Sequence, residues 1–165
     1  MIVLKFGGTS VQNAEAIRNV VSIVESRQGK RLVVVSALAG VTNRLVEIIK
    51  SLNNENLSEA LKISDDLLER HINTASDLKL KSNVHHYIKS KMSELKNLLN
   101  ALDVLGEISP KSKDMILSYG ELLSSVLVFE AFQKTVRKVN FIAVSYTHLR
   151  AHETPEHLVC RLLLE

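Results

Sequence analysis

The chain has 165 residues, of which 45% are hydrophobic and 24% are charged, so its composition is that of a soluble globular protein with one sizeable core. Its 21 basic and 18 acidic residues are scattered, which argues against a nucleic-acid or membrane surface, and 4% aromatic residues without tryptophan argue against a base-stacking platform. One cysteine excludes an internal disulfide framework, and the sequence pattern of a secretory leader or membrane span is absent, so we expect a cytoplasmic protein.

The first ten residues have the order of a strand, a glycine turn and a helix start. Residues 2–6 form an apolar run that contains Lys5, and the run Gly7-Gly8-Thr9-Ser10 follows. Glycine lets a ligand approach the backbone, a helix N-terminus carries a partial positive charge, and a lysine adds a full one. The pattern therefore predicts a phosphate site with a buried lysine. The alternative is an ordinary tight turn with the lysine head in water.

A helix and a second strand are predicted next. Apolar residues recur at helical spacing over residues 14–26, with Ser10 or Asn13 available as the N-cap. Residues 32–35 form a second apolar run of strand length. Strand, helix and strand at this spacing predict a βαβ unit, so we expect two parallel strands buried on both faces.

The middle of the chain is predicted to be helical. One helix starts at Thr42, and two long helices over residues 57–75 and 82–102 are expected to form an antiparallel hairpin. A further helix over residues 113–134 and a third strand over residues 139–143 follow. The buried stripe of the first long helix is predicted to be Leu57, Leu61, Leu68 and Ile72, with Ser64 as its polar member.

Residues 144–165 differ in character from the rest of the chain. They hold three of the six histidines and the only cysteine, without helical or strand periodicity. A metal site built from His148, His152, His157 and Cys160 is conceivable, but the segment is more similar to translated adaptor sequence. We therefore predict a native portion over residues 1–143, a non-native or disordered tail over residues 144–165, and no metal site.

Three separated motifs stand out in the chain. They are Lys5-Phe-Gly-Gly-Thr-Ser10, Val35-Ser-Ala-Leu-Ala-Gly-Val-Thr-Asn43 and Ser118-Tyr-Gly-Glu-Leu-Leu-Ser124. In sequence, order and spacing they resemble motifs of the aspartate kinase family. The resemblance covers about residues 1–143, as the N-terminal part of the catalytic domain. The run that starts at Leu105, together with the long helical insert, is most similar to forms fused to homoserine dehydrogenase. The fold it implies is the amino-acid kinase α/β fold, a mainly parallel sheet between helical layers, here truncated.

The resemblance implies ATP-dependent phosphorylation of L-aspartate to 4-phospho-L-aspartate, the first step of lysine, threonine and methionine biosynthesis. Mg²⁺ would arrive with the ATP, and the parent protein would be a homo-oligomer. Lys5 would be catalytic, because its charge can follow the transferred phosphoryl group. The nucleotide would be bound by Lys5, Phe6, Gly7, Gly8, Thr9 and Ser10, although Phe6 is also a natural core residue.

The family pattern also assigns Ser36, Thr42 and Glu121 to the aspartate substrate. Ser36 and Thr42 follow the second strand, where ligands of parallel sheets collect. Thr42 has an alternative role as the N-cap of the next helix, and Glu121, assigned to the α-amino group, has an alternative as a surface carboxylate. Buried among Leu117, Ser118, Ser124 and Ser125, the Glu121 carboxylate would be costly unless paired.

The sequence leaves two other functions open. The family's later glycine-rich nucleotide segment has no counterpart after residue 143, and the alternative function is therefore an inactive fragment or a phosphate-binding module. An amino-acid kinase for another acid substrate is the third reading, and the motifs around Thr42 and Glu121 argue against it.

Overall fold

The computed structural model describes residues 1–135 and 138–142, and the backbone of residues 160–164. The chain divides into two compact units, Met1–Ala39 with Gly120–Glu165 and Gly40–Tyr119. The elements in chain order are β1 (Ile2–Phe6), a 3-10 turn (Gly8–Val11), α1 (Ala14–Glu25), β2 (Arg31–Val35), α2 (Val41–Asn53), α3 (Leu57–Asp77), α4 (Ser82–Leu105), α5 (Pro110–Gln133), β3 (Val139–Ile142) and β4 (Cys160–Leu164).

The first unit contains a four-stranded sheet in the order β1-β2-β4-β3. β1 and β2 are parallel, with Phe6 opposite Val35, and α1 connects them, so the predicted βαβ unit is confirmed. Because the pair is parallel, the carboxyl ends of both strands lie at the same edge of the sheet. β4 pairs antiparallel with both β2 and β3.

The prediction that both strands are buried on both faces is wrong for β1. Ile2 and Val3 are 42% and 58% exposed, and Lys5 is exposed as well. In the described sheet β1 is the edge strand, so it lacks a neighbour on one side. β2 has neighbours on both sides, and its Val33 and Val35 are fully buried as expected.

α1 owes its position to one apolar face and one polar cap. Asn13 accepts a hydrogen bond from the Ala16 N–H through Oδ1 at 2.9 Å, which satisfies an amide in the first turn. Asn13, and not Ser10, is therefore the cap. The buried face consists of Ala14, Ile17, Val20, Val21 and Val24.

The second unit is built on α2, α3 and α4. α3 packs against both of the others, and residues 78–81 join it to α4, so the predicted helical hairpin is confirmed. α2 begins directly after Gly40, whose φ of 78° lies in the left-handed region that glycine tolerates. Asn56 caps α3 by accepting the Glu59 N–H at 3.1 Å.

The buried face of α3 differs from the predicted stripe. Leu57, Leu61, Leu68 and Ile72 are only partly buried, because α3 has packing partners on two sides and its central face lies between them. That face includes the polar Ser64, as predicted, and its hydroxyl donates to the Leu61 carbonyl at 2.7 Å. The buried residues are Ala60, Ile63, Ser64, Leu67, His71, Thr74 and Ala75.

α5 is the most apolar long helix in the part of the chain that the structure describes. By length and composition alone it could cross a membrane, but 56% of its apolar stretch is buried, and a buried core helix meets the same criterion. Its C-terminal half belongs to the first unit, where Phe129 packs against Phe141 of β3 with ring centroids 5.4 Å apart. This contact holds the third predicted strand against the helix.

The predicted foreign tail lies mostly outside the described residues. His148, His152 and His157 are among the residues not described, so the metal-site alternative at these positions is untested. Residues 160–164 form β4, a strand that the sequence pattern did not predict. The assignment of residues 144–165 as non-native stays a prediction.

Candidate active site

The glycine turn connects β1 to α1 at the carboxyl edge of the sheet. Gly7 has extended backbone angles (φ −74°, ψ 174°) and precedes the 3-10 turn, whose first closing bond runs from the Ser10 N–H to the Gly7 carbonyl at 2.9 Å. A Cβ on Gly7 would meet no heavy atom of the described residues within 4 Å, so one face of its backbone is open. A ligand has room to approach the main chain there.

Gly8 is required for a different reason. A Cβ at this position would lie 3.0 Å from the Ala37 carbonyl oxygen and 3.3 Å from the Ala39 Cα, both of them main-chain atoms. The glycine turn and the loop after β2 therefore pack backbone against backbone. Gly7 gives access to solvent, and Gly8 gives contact with the neighbouring loop.

Lys5 projects from the end of β1 into solvent, so the expectation of a buried lysine is wrong. An exposed lysine ammonium on its flexible four-carbon stem can approach a ligand from solvent. Phe6 and Ser10 are half-buried and Thr9 is exposed, and all three line an open pocket of about 330 Å³ whose other wall is α1. Phe6 is thus part of the pocket as well as of the strand.

Ser36 continues β2 at the same edge. Its N–H donates to the Phe6 carbonyl at 3.1 Å, which extends the pairing of the two parallel strands by one residue. Its carbonyl oxygen accepts a hydrogen bond from the hydroxyl of Ser124 in α5 at 2.6 Å. The backbone of Ser36 is therefore fixed from two directions.

Glu121 lies in α5, one helical turn before Ser124. Burial raises the pKa of its carboxyl from 4.5 to about 7, against the opposing effect of hydrogen bonds from its own N–H and the Ala37 N–H. The alternative of an ordinary surface glutamate does not fit this partly buried carboxyl. Near neutral pH the group exchanges its proton readily, and a bound cation would shift it to the ionised form.

Thr42 lies in the second unit and is exposed in the first turn of α2. The alternative that it caps this helix is wrong, because Gly40 is the N-cap and no side chain supplies the capping bond. Its hydroxyl is consequently not committed to capping. Its assignment to the substrate stays a prediction.

Within the described ranges, residues 1–135 and 138–142, the side chains form no cluster of three or more potential metal ligands. At the C-terminal ends of its parallel strands, the first unit has a positive charge at Lys5, an open main chain at Gly7 and a carboxyl group at Glu121 that titrates near neutral pH. Such a set suits a ligand with both an anionic and a cationic group.

Comparison with known proteins identifies the family. A family model described as the amino acid kinase family matches residues 1–158. The chain belongs to the amino acid kinase family. Its edge of parallel strands, glycine turn and α5 carboxyl thus occur in a member of this family.

Curated relatives of this chain include two proteins from bacteria. The bifunctional aspartokinase/homoserine dehydrogenase of Buchnera aphidicola is 33% identical over 150 residues, which is 86% of this chain and 18% of the relative. The lysine-sensitive aspartokinase 3 of Escherichia coli is 35% identical over 143 residues, which is 81% of this chain and 29% of the relative. The chain spans less than a third of either protein.

Solved structures agree with this family assignment. Escherichia coli aspartokinase III in complex with aspartate and ADP superposes with a TM-score of 0.69 at 31% identity, over 81% of this chain and 29% of that one. The aspartate kinase of Clostridium acetobutylicum has a TM-score of 0.60 over the same shares of the two chains and, at 20% identity, supports the fold alone. The predicted amino-acid kinase fold, in truncated form, is confirmed.

The sequence patterns missed one residue of this edge. Ser124 was noted only as part of a small polar patch around Glu121, and its bond to the Ser36 carbonyl spans 88 positions of sequence. The available signal was its spacing of three residues from Glu121, which places both on one face of α5.

Proposed function

We propose that this chain supplies part of the site of an aspartate kinase, which transfers the γ-phosphoryl group of ATP to the side-chain carboxylate of L-aspartate. The observation that carries the proposal is the shared edge of β1 and β2, where a lysine, an open glycine turn and a titrating carboxyl occur in one unit. Aspartate offers a carboxylate to be phosphorylated and an ammonium group to be bound. Both needs match groups at this edge.

The glycine turn fits the phosphates of a nucleotide. Gly7 leaves its backbone open, and the amides at the start of the 3-10 turn have no partner within the turn. Lys5, exposed at the end of β1, can reach a bound phosphate and neutralise charge as the phosphoryl group moves. Thr9 and Ser10 add hydroxyl donors. Mg²⁺ would be held by the phosphates and arrive with them.

Glu121 fits the α-amino group of the substrate. An ammonium ion next to the carboxyl would stabilise its ionised form and offset the cost of its burial. Ser36 would present its hydroxyl to the substrate from the end of β2, and Thr42 is proposed as a third contact on the strength of the motif alone. The whole protein's homo-oligomeric state, cytoplasmic location and fusion to homoserine dehydrogenase belong to the same proposal.

A chimera tests the proposal. Residues 1–142 would replace the matching segment of Escherichia coli aspartokinase 3, and ATP consumption would be measured with aspartate and with glutamate. Lys5→Ala should lower kcat by about 100-fold or more with little change in the KM for aspartate, because its charge acts mainly on the transition state. Lys50→Ala, at an exposed position of α2, is the matched control.

Three results would contradict the proposal in different ways. A chimera without aspartate-dependent turnover would remove the kinase assignment of this segment. Preference for glutamate would favour an amino-acid kinase for another acid. Equal turnover in Lys5→Ala and Lys50→Ala would remove Lys5 from catalysis. The second candidate, a non-catalytic phosphate-binding module, has support in the open backbone of Gly7, and it predicts ADP binding by the 165-residue chain without turnover.

A further inference from the structure

A single peptide group in the first unit is held at both ends by one helix. The Ser36 carbonyl accepts the Ser124 hydroxyl at 2.6 Å, and the Ala37 N–H donates to the Glu121 carboxylate. This carbonyl and this N–H belong to the same peptide bond. In a trans peptide they point in opposite directions from one rigid plane, so fixing either one fixes the other.

The two side chains that hold this peptide are three residues apart in α5, hence on one face of the helix. The peptide plane therefore lies along that face, with its carbonyl toward Ser124 and its N–H toward Glu121. Two further contacts restrain the residues on either side of this peptide. The Ser36 N–H donates to the Phe6 carbonyl, and Gly8 packs against the Ala37 carbonyl. The Ser124 bond holds the carbonyl end of the peptide plane.

The neighbouring serine shows that this geometry is specific. Ser124 and Ser125 are both fully buried in α5. The Ser125 hydroxyl donates to the Leu122 carbonyl at 2.7 Å, a local bond of the kind that serine usually makes within a helix. The Ser124 hydroxyl instead leaves its helix and binds a loop 88 positions away in sequence. A substitution of Ser125 is therefore a suitable control for one of Ser124, because it removes an equally buried serine without affecting the loop.

We infer that Ser124 is a positioning residue, whose hydroxyl orients the Ser36–Ala37 peptide so that the Ala37 N–H holds the Glu121 carboxylate in place. It touches no substrate in this scheme and acts through Glu121 and Ser36. The inference rests on the proposed function where it assigns these two residues to aspartate. The mechanical link itself is independent of any ligand.

The link has an electrostatic consequence at Glu121. The groups that favour its ionised form are two N–H groups, its own and that of Ala37, and burial opposes them. If the Ser36–Ala37 peptide can rotate, the hydrogen bond from the Ala37 N–H to the Glu121 carboxylate is lost. The protonation equilibrium of Glu121 then shifts toward the protonated form. A protonated carboxyl binds an ammonium group poorly, so loss of Ser124 should weaken the binding of aspartate more than turnover.

The first experiment uses the 165-residue chain without ligand. Ser124→Ala and Ser125→Ala are compared by NMR titration of the Glu121 carboxyl carbon and by amide hydrogen exchange at Ala37. Ser124→Ala should raise the titration midpoint by about 0.5 pH unit or more and speed Ala37 exchange about threefold or more, while Ser125→Ala changes neither. Equal effects of the two variants, or no effect of either, would overturn the inference.

A second variant and a second readout complete the test. Ser124→Cys fills a similar space with a weaker donor, so its values should lie between those of serine and alanine. Values equal to those of serine would show that filling the space, and not the hydrogen bond, is what matters, and would overturn the inference. In the chimera, Ser124→Ala should raise the KM for aspartate about three- to tenfold with a smaller change in kcat. An unchanged KM in an active chimera would overturn the role toward aspartate. A chimera that is inactive before substitution contradicts the proposed function instead, and leaves the ligand-free result as it stands.

Discussion

Replacing Glu121 by glutamine should stabilise the protein at high pH and not at low pH. Burial raises the pKa of the folded carboxyl from 4.5 to about 7, so the folded state holds a proton that the unfolded chain has already released between these values. Stability therefore falls as pH rises through this window, and the loss is complete above about pH 7. Glutamine is a neutral isostere of the protonated acid and escapes the loss.

The size of the effect follows from the same interval. A pKa difference from 4.5 to about 7 corresponds to about 3 kcal/mol, and partial exposure of the side chain reduces this to about 1–2 kcal/mol. Glu121→Gln should thus add about 1–2 kcal/mol to the free energy of unfolding at pH 8 and close to none at pH 4.

Urea unfolding followed by circular dichroism at a series of pH values measures this difference. Ser125→Ala, four residues along the same helix, carries no titrating group, and its effect on stability should be the same at each pH. A gain from Glu121→Gln that does not depend on pH, or that appears at pH 4 and vanishes at pH 8, would refute the reasoning.

Two other perturbations probe the turn and the second unit. Gly8→Ala should lower the free energy of unfolding by about 1–3 kcal/mol, because its Cβ would lie 3.0 Å from the Ala37 carbonyl, and Gly7→Ala, which meets nothing within 4 Å, should not. Equal thermal-denaturation midpoints for the two would contradict the backbone contact. Burial lowers the pKa of His71 to about 4, so wild-type stability should fall by up to about 3 kcal/mol between pH 6.5 and 4. In acid unfolding curves, His71→Leu should reduce this loss of stability between pH 6.5 and 4. His86→Gln, at an exposed position, is the control and should leave the loss unchanged. An equally large loss in His71→Leu would contradict the prediction.

The surroundings of His71 explain why protonation of its ring destabilises the folded state. Its Nδ1 is 2.6 Å from the Leu67 carbonyl and must carry the proton, which leaves Nε2 buried with no partner among the described residues. The buried residues of the packing helices α2 and α4 are all apolar, and the charge that acts on the ring is the cation Arg70, which also lowers the pKa. A second proton would meet neither an acceptor nor a counter-charge.

Local sequence predicted the elements well, because helices and glycine turns are specified by residues close in sequence. The strand β1, the helix α1 with Asn13 at its cap, and the hairpin of α3 and α4 are all signalled by periodicity and capping residues. The motif residues Lys5 to Ser10, Ser36 and Glu121 were likewise found from local patterns. Their roles remain proposals.

Long-range contacts account for what sequence did not predict. The exposure of β1 depends on which strand lies beside it, and the buried face of α3 depends on having two partners. The hydrogen bond from Ser124 to Ser36 joins positions 88 residues apart, and the local sequence around either residue does not predict it. A strand at residues 160–164 arises from pairing with β2 and β3, since the surrounding sequence lacks strand periodicity.

The exposed edge of β1 has a consequence for handling the protein. Ile2 and Val3 present apolar side chains beside main-chain N–H and C=O groups that have no sheet partner on that side in the described structure. Such an edge is a template for another strand, whether from a second copy or from a peptide added in solution. At high concentration the chains should therefore associate by strand pairing through β1, and a charged residue in place of Val3 should prevent this association.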